Sequence, residues 1–319
     1  MAEAEIHAGG IFQGQAALLE GMREVTFEDF LRFRERNDSV FIGEREFSLR
    51  VPKPRKLEPE NFELESATVW SFPERGKWAT HKHNASYRGN WAPQVARNLL
   101  LLYSREGEVV LDPFLGSGTT VIECALLKRK CIGVDINENS VMLAWSRLEP
   151  IMDEGKSVKL FRGDARNLDR IEDESIDFIA GHPPYAGIIK YSRSREIGGD
   201  LSRLNVELYL ASMLEVAKEM YRVLKKKRHA AIMIGDSRTR KHVVPLGYMV
   251  MTQFLRAGFT LREHIIKVQH NMVGTIAWRK KKERDFLLLK HEHIFVFEKS
   301  EEEYPYSREL PLSVGSISH

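Results

Sequence analysis

Two short stretches of this 319-residue chain carry side chains whose types and spacing suit chemistry on an amine. The first is His182-Pro183-Pro184-Tyr185. Consecutive prolines hold φ at about −65° and remove two backbone donors, so local carbonyls stand as acceptors with no competing N–H. One such carbonyl can take a hydrogen of an –NH2 group, a neutral His182 can take the other, and the Tyr185 ring offers a face on which a base can stack. An exocyclic amine is conjugated with its ring and attacks poorly. Two acceptors favour the pyramidal nitrogen that attacks an electrophilic carbon, which is transition-state electrostatics combined with positioning. Taken alone, the four residues are equally compatible with a tight turn closing a strand.

The second stretch, Leu111-Asp112-Pro113-Phe114-Leu115-Gly116-Ser117-Gly118-Thr119-Thr120, follows an apolar run and opens a helical one. Gly116 and Gly118 permit a tight turn and close approach of the backbone to a ligand. No Gly-Lys-Ser/Thr follows, so this is not a phosphate loop. Asp112 closes one predicted strand and can accept from an amino-acid ammonium group. Asp135 closes the next, where a ribose hydroxyl pair would be held, and Asp164 closes the third, where it can meet an adenine amine. Three Asp residues in the same register outweigh their reading as simple turn formers.

These positions require strands at 108–113, 131–136, 158–164, 175–185 and 229–236. Helices are predicted at 117–130 with Ser117 as N-cap, 137–154 with a break near Pro150, 205–225, and 244–258 closed by Gly258. Two further strands, 261–270 and 291–299, end the pattern. Alternating strands and helices imply a mostly parallel, doubly wound, Rossmann-like α/β sheet of seven strands. The final strand pair implies an antiparallel edge strand. Ahead of this lie an amphipathic helix at 27–37, a strand and turn at 40–50, and an extended connector at 51–59 with three prolines. The expected division is an extension over 1–65, a catalytic domain over 66–300 and a tail over 301–319.

A composition 43% hydrophobic and 29% charged is that of a soluble globular protein. No run of 18 apolar residues suggests a membrane span, and MAEAEIHAGG lacks the features of a secretion signal. The two cysteines, Cys124 and Cys131, read as buried free thiols in a reducing cytoplasm. Residues 1–65 carry net charge −5 and residues 182–299 net +12, so a polyanion would meet the second region. Tyr191, Arg193 and Arg195, and separately Arg238, Arg240 and Lys241, follow strand ends and are expected to grip substrate phosphates. A further basic run, Arg279 to Lys282, belongs in a loop. His81 with His83, and His291 with His293, have the i, i+2 spacing of strand ligands, but no third ligand is visible in sequence and no metal is expected. Trp78 and Trp91 either shape the pocket or pack.

Together, DPFLGSGTT and His-Pro-Pro-Tyr resemble the motifs of nucleic-acid amino-methyltransferases acting on cytosine N4 or adenine N6. Residues 80–104 are similar to the segment that precedes the glycine loop in that family, and 291–299 resembles its final strand. The resemblance covers about residues 80–299 and implies a class I S-adenosylmethionine-dependent methyltransferase fold with S-adenosylmethionine as cofactor. It implies a cofactor site of Tyr87, Asn90, Asp112, Pro113, Phe114, Gly116, Ser117, Gly118, Thr119, Asp135, Ile136, Asp164 and Ala165, and catalysis by His182, Pro183, Pro184 and Tyr185. The chain departs from the family in having His182 where Asp, Asn or Ser is usual and Asn90 where Lys is common. Only 63 positions separate Gly118 from Gly181, which leaves no room for an inserted recognition module. Carbon-5 methylation needs a cysteine nucleophile, and neither cysteine lies near the tetrad. The expected reaction is methylation of cytidine N4 in RNA, ribosomal RNA above all, with residues 1–65 recognising a shaped partner. DNA methylated at cytosine N4 or adenine N6 is the alternative, followed by a silent nucleic-acid-binding relative. In either polymer the base must leave its stack.

Overall fold

The computed structural model describes residues 21–152, 157–185, 200–270 and 285–302. The chain begins with a short strand, β1 (Arg23–Glu24), and helix α1 (Phe27–Arg36). The helix starts at Thr26 because of a reciprocal cap. Asp29 N–H donates to Thr26 Oγ1 (3.1 Å) and Thr26 N–H donates to Asp29 Oδ2 (2.9 Å), so two otherwise orphaned donors are satisfied. A hairpin of β2 (Ser39–Ile42) and β3 (Arg45–Ser48) follows, then irregular chain to β4 (Val69–Ser71).

Helix α2 (Pro93–Tyr103) places Pro93 in its first turn, where a missing N–H costs nothing. The alternating part then runs β5 (Val109–Asp112), α3 (Thr119–Leu126), β6 (Lys130–Asp135), α4 (Glu138–Leu148), β7 (Val158–Arg162), β8 (Ile176–Gly181), α5 (Val206–Val223) and β9 (Leu224–Ile234). A small hairpin, β10 (Ser237–Thr239) and β11 (His242–Val244), leads to α6 (Leu246–Arg256), β12 (Thr260–Val268) and β13 (His291–Glu298).

Among the described residues the main sheet has nine strands in the order β1-β7-β6-β5-β8-β9-β13-β12-β4. The seven strands from β7 to β12 are those expected. β13 is antiparallel to both β9 and β12 and lies two places in from the β4 rim, inserted by the reversal of the last strand. The two additional strands come from the amino-terminal region: β1 adds antiparallel to β7 and β4 parallel to β12, and thus both rims are covered.

Each face of the sheet carries its own core. Leu99, Val121 and Leu143 of α2, α3 and α4 pack on one face. Met213, Val216, Val250 and Phe254 of α5 and α6 pack on the other. Val25, Phe30, Val40 and Leu49 belong to the first core, which makes residues 21–49 part of the sheet's support. Both cysteines are buried and free. Among the described residues, no helix is long and apolar enough to cross a membrane.

From β5 the chain steps to β6 and β7 on one side and later to β8 and β9 on the other. The gap between β5 and β8 is therefore the topological switch point, where ligands of such sheets bind. Leu111 pairs with Ile179, so the loop after Asp112 and the turn after Gly181 leave adjacent strand ends.

Thr26→Ala removes the cap of α1 and should cost about 1 kcal/mol in urea denaturation. Asp29→Ala added to it should cost less than the sum of the two single changes, because both belong to one box.

Candidate active site

The glycine loop is built on the end of β6. Leu115 N–H donates to Val134 O (2.9 Å) and Gly116 N–H to Asp135 Oδ2 (2.8 Å). Gly118, not Ser117, is the residue that precedes α3, and it does so in the left-handed region at φ 84°. A Cβ there would lie 3.0 Å from the Ala144 Cβ, so backbone conformation and helix packing both demand glycine. Ser117 is instead turned inward, its carbonyl accepting from Asn84 Nδ2 at 3.1 Å.

Two carboxylates flank the loop in the charge-averse condition that burial imposes. Burial pushes Asp112 up to about 7, although the Phe114 amide donates to its Oδ1 at 2.9 Å. Burial also pushes Asp135 up to about 6, opposed by the amides of Asn137 and Gly116 and reinforced by the nearby charge of Asp200. Asp164 differs, being gripped by Arg166 through Nη2–Oδ2 (2.6 Å) and Nε–Oδ1 (3.0 Å).

His182 lies at the end of a four-residue relay. Lys267 Nζ donates to Glu292 Oε2 (2.9 Å), Tyr185 O–H donates to Glu292 Oε1 (2.7 Å), and His182 Nε2 sits 2.9 Å from the Tyr185 oxygen. Burial works against a charged Glu292, yet Lys267 and its other partners hold the carboxyl down at about 2. An ionised Glu292 takes the one phenolic proton, so His182 must donate through Nε2 to the Tyr185 oxygen. Its Nδ1 is left as a lone pair, buried and without a hydrogen-bond partner. Burial drives His182 down to about 4, a fall that the charge of Glu292 only partly opposes, and the ring is neutral at pH 7. Trp91 stacks on it at 6.0 Å and 23°.

The two motifs open into one cleft of about 730 Å³. Of the expected residues, Tyr87, Pro113, Phe114, Gly116, Asp135, Ile136, Asp164, Ala165, His182 and Pro184 line it. Asp112, Ser117, Gly118, Thr119, Pro183 and Tyr185 stand behind that wall. Asn90 is also held back, with its Oδ1 accepting from Thr119 Oγ1 at 2.5 Å and its Nδ2 donating to Asn84 O at 3.2 Å. Its part is to tie the preceding segment to the glycine loop. Tyr185 likewise acts as a link between His182 and Glu292.

Arg238 and Lys241 lie on the β10–β11 hairpin, outside this wall. Arg238 donates to Leu287 O (2.8 Å) and to Lys241 O, while Lys241 pairs with Asp285 at 3.0 Å. Arg240, exposed at the same turn, has φ 48°. Tyr191, Arg193, Arg195 and the run Arg279 to Lys282 lie outside the described residues.

Sequence reasoning missed Gly89, Asn137, Ser140, Gly163, Asp200 and Leu201 in the wall, and Arg166, Lys267 and Glu292 behind it. The last two are opposite charges that face each other in the β12–β13 register, a pairing that only the sheet reveals.

The segment supplying Tyr87, Gly89 and Trp91 is pinned from behind by Glu123 of α3, which is fully buried. Trp78 Nε1 donates to Glu123 Oε1 (2.7 Å), His81 Nε2 lies 2.6 Å from the same oxygen, and Arg97 Nη1 donates to Oε2 (2.9 Å). Trp78 therefore packs, whereas Trp91 shapes the site. Arg75 donates to Asn90 O (3.2 Å) and Trp91 O (2.7 Å), which fixes the same segment from the other side.

A family model described as DNA methylase, of the N6 and N4 methyltransferase type, matches residues 33–145 and 176–313. Type II methyltransferase M.MjaI of Methanocaldococcus jannaschii is 32% identical over 121 residues, which are 34% of this chain and 37% of that protein. M.SmaI of Serratia marcescens is 38% identical over 81 residues, 25% of this chain and 26% of its own length. A tRNA (guanine(10)-N2)-dimethyltransferase of M. jannaschii is 34% identical over 110 residues, covering 33% of this chain and 31% of that one. The matched segments thus span well under half of each relative.

The raised Asp112 carboxyl has a measurable consequence. Its folded value of about 7 exceeds the ordinary 3.8, so the folded state holds this proton more tightly. Stability contributed by the neutral form is present at low pH and is lost as pH rises through about 7. Asp112→Asn, which keeps an acceptor for the Phe114 amide, should raise the ligand-free Tm at pH 8 by several degrees. Thermal melts should show that gain vanishing towards pH 4.

Proposed function

Because the chain belongs to the DNA methylase family of N6 and N4 amino-methyltransferases, we propose that it methylates the exocyclic amine of a nucleic-acid base, using S-adenosylmethionine. The observation that carries this reading is that the glycine loop and the His182–Pro184 turn line one cleft. The residues fit the cofactor. Gly116 at φ 50° brings bare backbone to the wall, and Asp135, raised by burial, would gain from hydroxyl donors. Asp135 would hold the ribose, Asp164 and Ala165 the adenine, and the loop around Gly116, braced from behind by Asp112, the amino-acid end. Bound there, S-adenosylmethionine supplies an electrophilic methyl group.

The tetrad then acts on the incoming amine. His182 Nδ1 accepts one amine hydrogen, and the carbonyl chemistry of the double proline accepts the other. The nitrogen lone pair is thereby localised and aimed. At a pKa of about 4, His182 polarises the N–H bond, and the proton that the methylated nitrogen sheds passes on to solvent instead of staying on the ring. Tyr185 and Glu292 fix the tautomer that leaves Nδ1 open. Trp91 covers one face of the ring.

DNA is the polymer favoured, at cytosine N4 or adenine N6, since the matching family model is described as DNA methylase of the N6 and N4 type. The RNA reading expected from the sequence leaned partly on residues 1–65 as a recognition element, and 21–49 of these serve the core. RNA stays as the second reading, supported by the tRNA-modifying relative.

Incubation of DNA and RNA with the protein and labelled cofactor, followed by nucleoside mass spectrometry, tests the proposal. A methylated cytosine or adenine in DNA is expected. Label confined to RNA moves the substrate, and label in neither pool leaves a silent relative. His182→Ala should abolish transfer while calorimetry shows unchanged cofactor affinity; undiminished turnover would remove the histidine from the mechanism. Tyr185→Phe should lower kcat about 10–100-fold with KM unchanged. Since His182 is neutral above about 4, kcat should hold level from pH 8 to pH 5 and fall only near 4.

A further inference from the structure

On the opposite side of β13 from Glu292, the alternation of the strand presents His291 and His293 together. The β9–β13 register sets His293 beside Ile234, and the chain leaving β9 brings Asp236 across to them. We propose that Asp236, His291 and His293 form a binding site for a divalent transition metal, zinc being the best match, with His264 as its supporting residue. This inference is independent of the methyl-transfer reading.

One ligand atom from each of the three residues lies within 4.8 Å of the other two. His293 Nε2 and Asp236 Oδ2 are 3.3 Å apart. Two ligands on a tetrahedral zinc with bonds of about 2.0–2.1 Å are separated by about 3.3 Å, so this pair already has the required edge. A nitrogen, nitrogen, carboxylate set is the donor chemistry that zinc accepts, and two histidines with one carboxylate leave a coordination position open.

Both members of the pair are oriented from behind. Gly247 N–H donates to Asp236 Oδ1 at 2.9 Å, which turns Oδ2 towards His293. His264 Nε2 lies 2.9 Å from His293 Nδ1, and the His264 ring is stacked on Phe295 at 4.7 Å and 18°. Metal-bound histidines ordinarily have such a partner on the second nitrogen. Without metal, a proton sits between His293 Nε2 and Asp236. Metal would take its place as His293 and His264 both shift to the other neutral tautomer, so no net proton is released. His293 is buried, whereas His291 is half-buried and borders a cleft shared with Arg238, Lys241 and Asp285. The open position therefore faces solvent beside two cationic side chains.

The sequence displayed the histidine pair but hid its carboxylate. Asp236 precedes His291 by 55 positions and joins it only through the sheet.

The test uses the full chain stripped with a chelator and titrated with Zn²⁺ by calorimetry and with Co²⁺ by visible absorption. One metal per chain is expected, with tetrahedral cobalt bands and a higher Tm when zinc is added. His291→Ala and Asp236→Asn should each weaken binding at least tenfold, and His264→Ala about 10–100-fold. His291 is half-buried, and its removal should leave the metal-free melt unchanged, which separates loss of ligand from loss of fold. Failure of the wild-type chain to bind zinc at micromolar concentration overturns the proposal. Equal affinity in His291→Ala and Asp236→Asn also overturns it.

Discussion

A single buried carboxylate holds the two halves of the cleft in register. Glu123 is wholly inside the protein and is satisfied only because Trp78, His81 and Arg97 converge on it. A charge so placed is tolerable while its partners stay in position, and removal of one partner typically costs about 3–5 kcal/mol. The segment from 78 to 97 is thereby tied to the helix that springs from Gly118. Along that segment come Tyr87, Gly89 and Trp91, and Trp91 bears on His182. The distance between the glycine loop and the His182 turn is thus set by a network that touches neither.

Within the cleft, one physical condition acts on groups of opposite kind. Dryness raises Asp112 and Asp135 and lowers His182. Both shifts favour neutral forms, and on His182 the buried Nδ1 is left without a hydrogen-bond partner. Behind the wall Glu292 goes the other way, because Lys267 neutralises it, and this exception gives His182 its direction.

The features legible in the sequence were those encoded locally. Strand ends at Asp112 and Asp135, the glycine loop, and the turn at Pro183 follow from short-range pattern, and ten of the expected residues line one cleft. Features that depend on register across the sheet were not legible. Lys267 faces Glu292 through the pairing of β12 with β13, and Asp236 joins His291 through β9 and β13. The helix start was misplaced by one residue because Ser117 has the better capping side chain, whereas the backbone needs the left-handed conformation that Gly118 adopts. Asn90 was given to the cofactor on resemblance, and only the fold shows it spent on Thr119. The two rim strands escaped notice because β1 and β4 are two and three residues long, too short for any periodicity.

Those rim strands impose an order on assembly. β1 needs only β7, near the middle of the chain, but Val69 of β4 finds its partner in Ile266. On a ribosome the early segment bearing Phe30 and Trp70 must wait for most of the polypeptide before its burial is complete. Such long-range closure is entropically costly and slow. The belt that shields both margins of the mature sheet is therefore threaded first and fastened last, and its apolar residues are the ones exposed longest to stray association during synthesis.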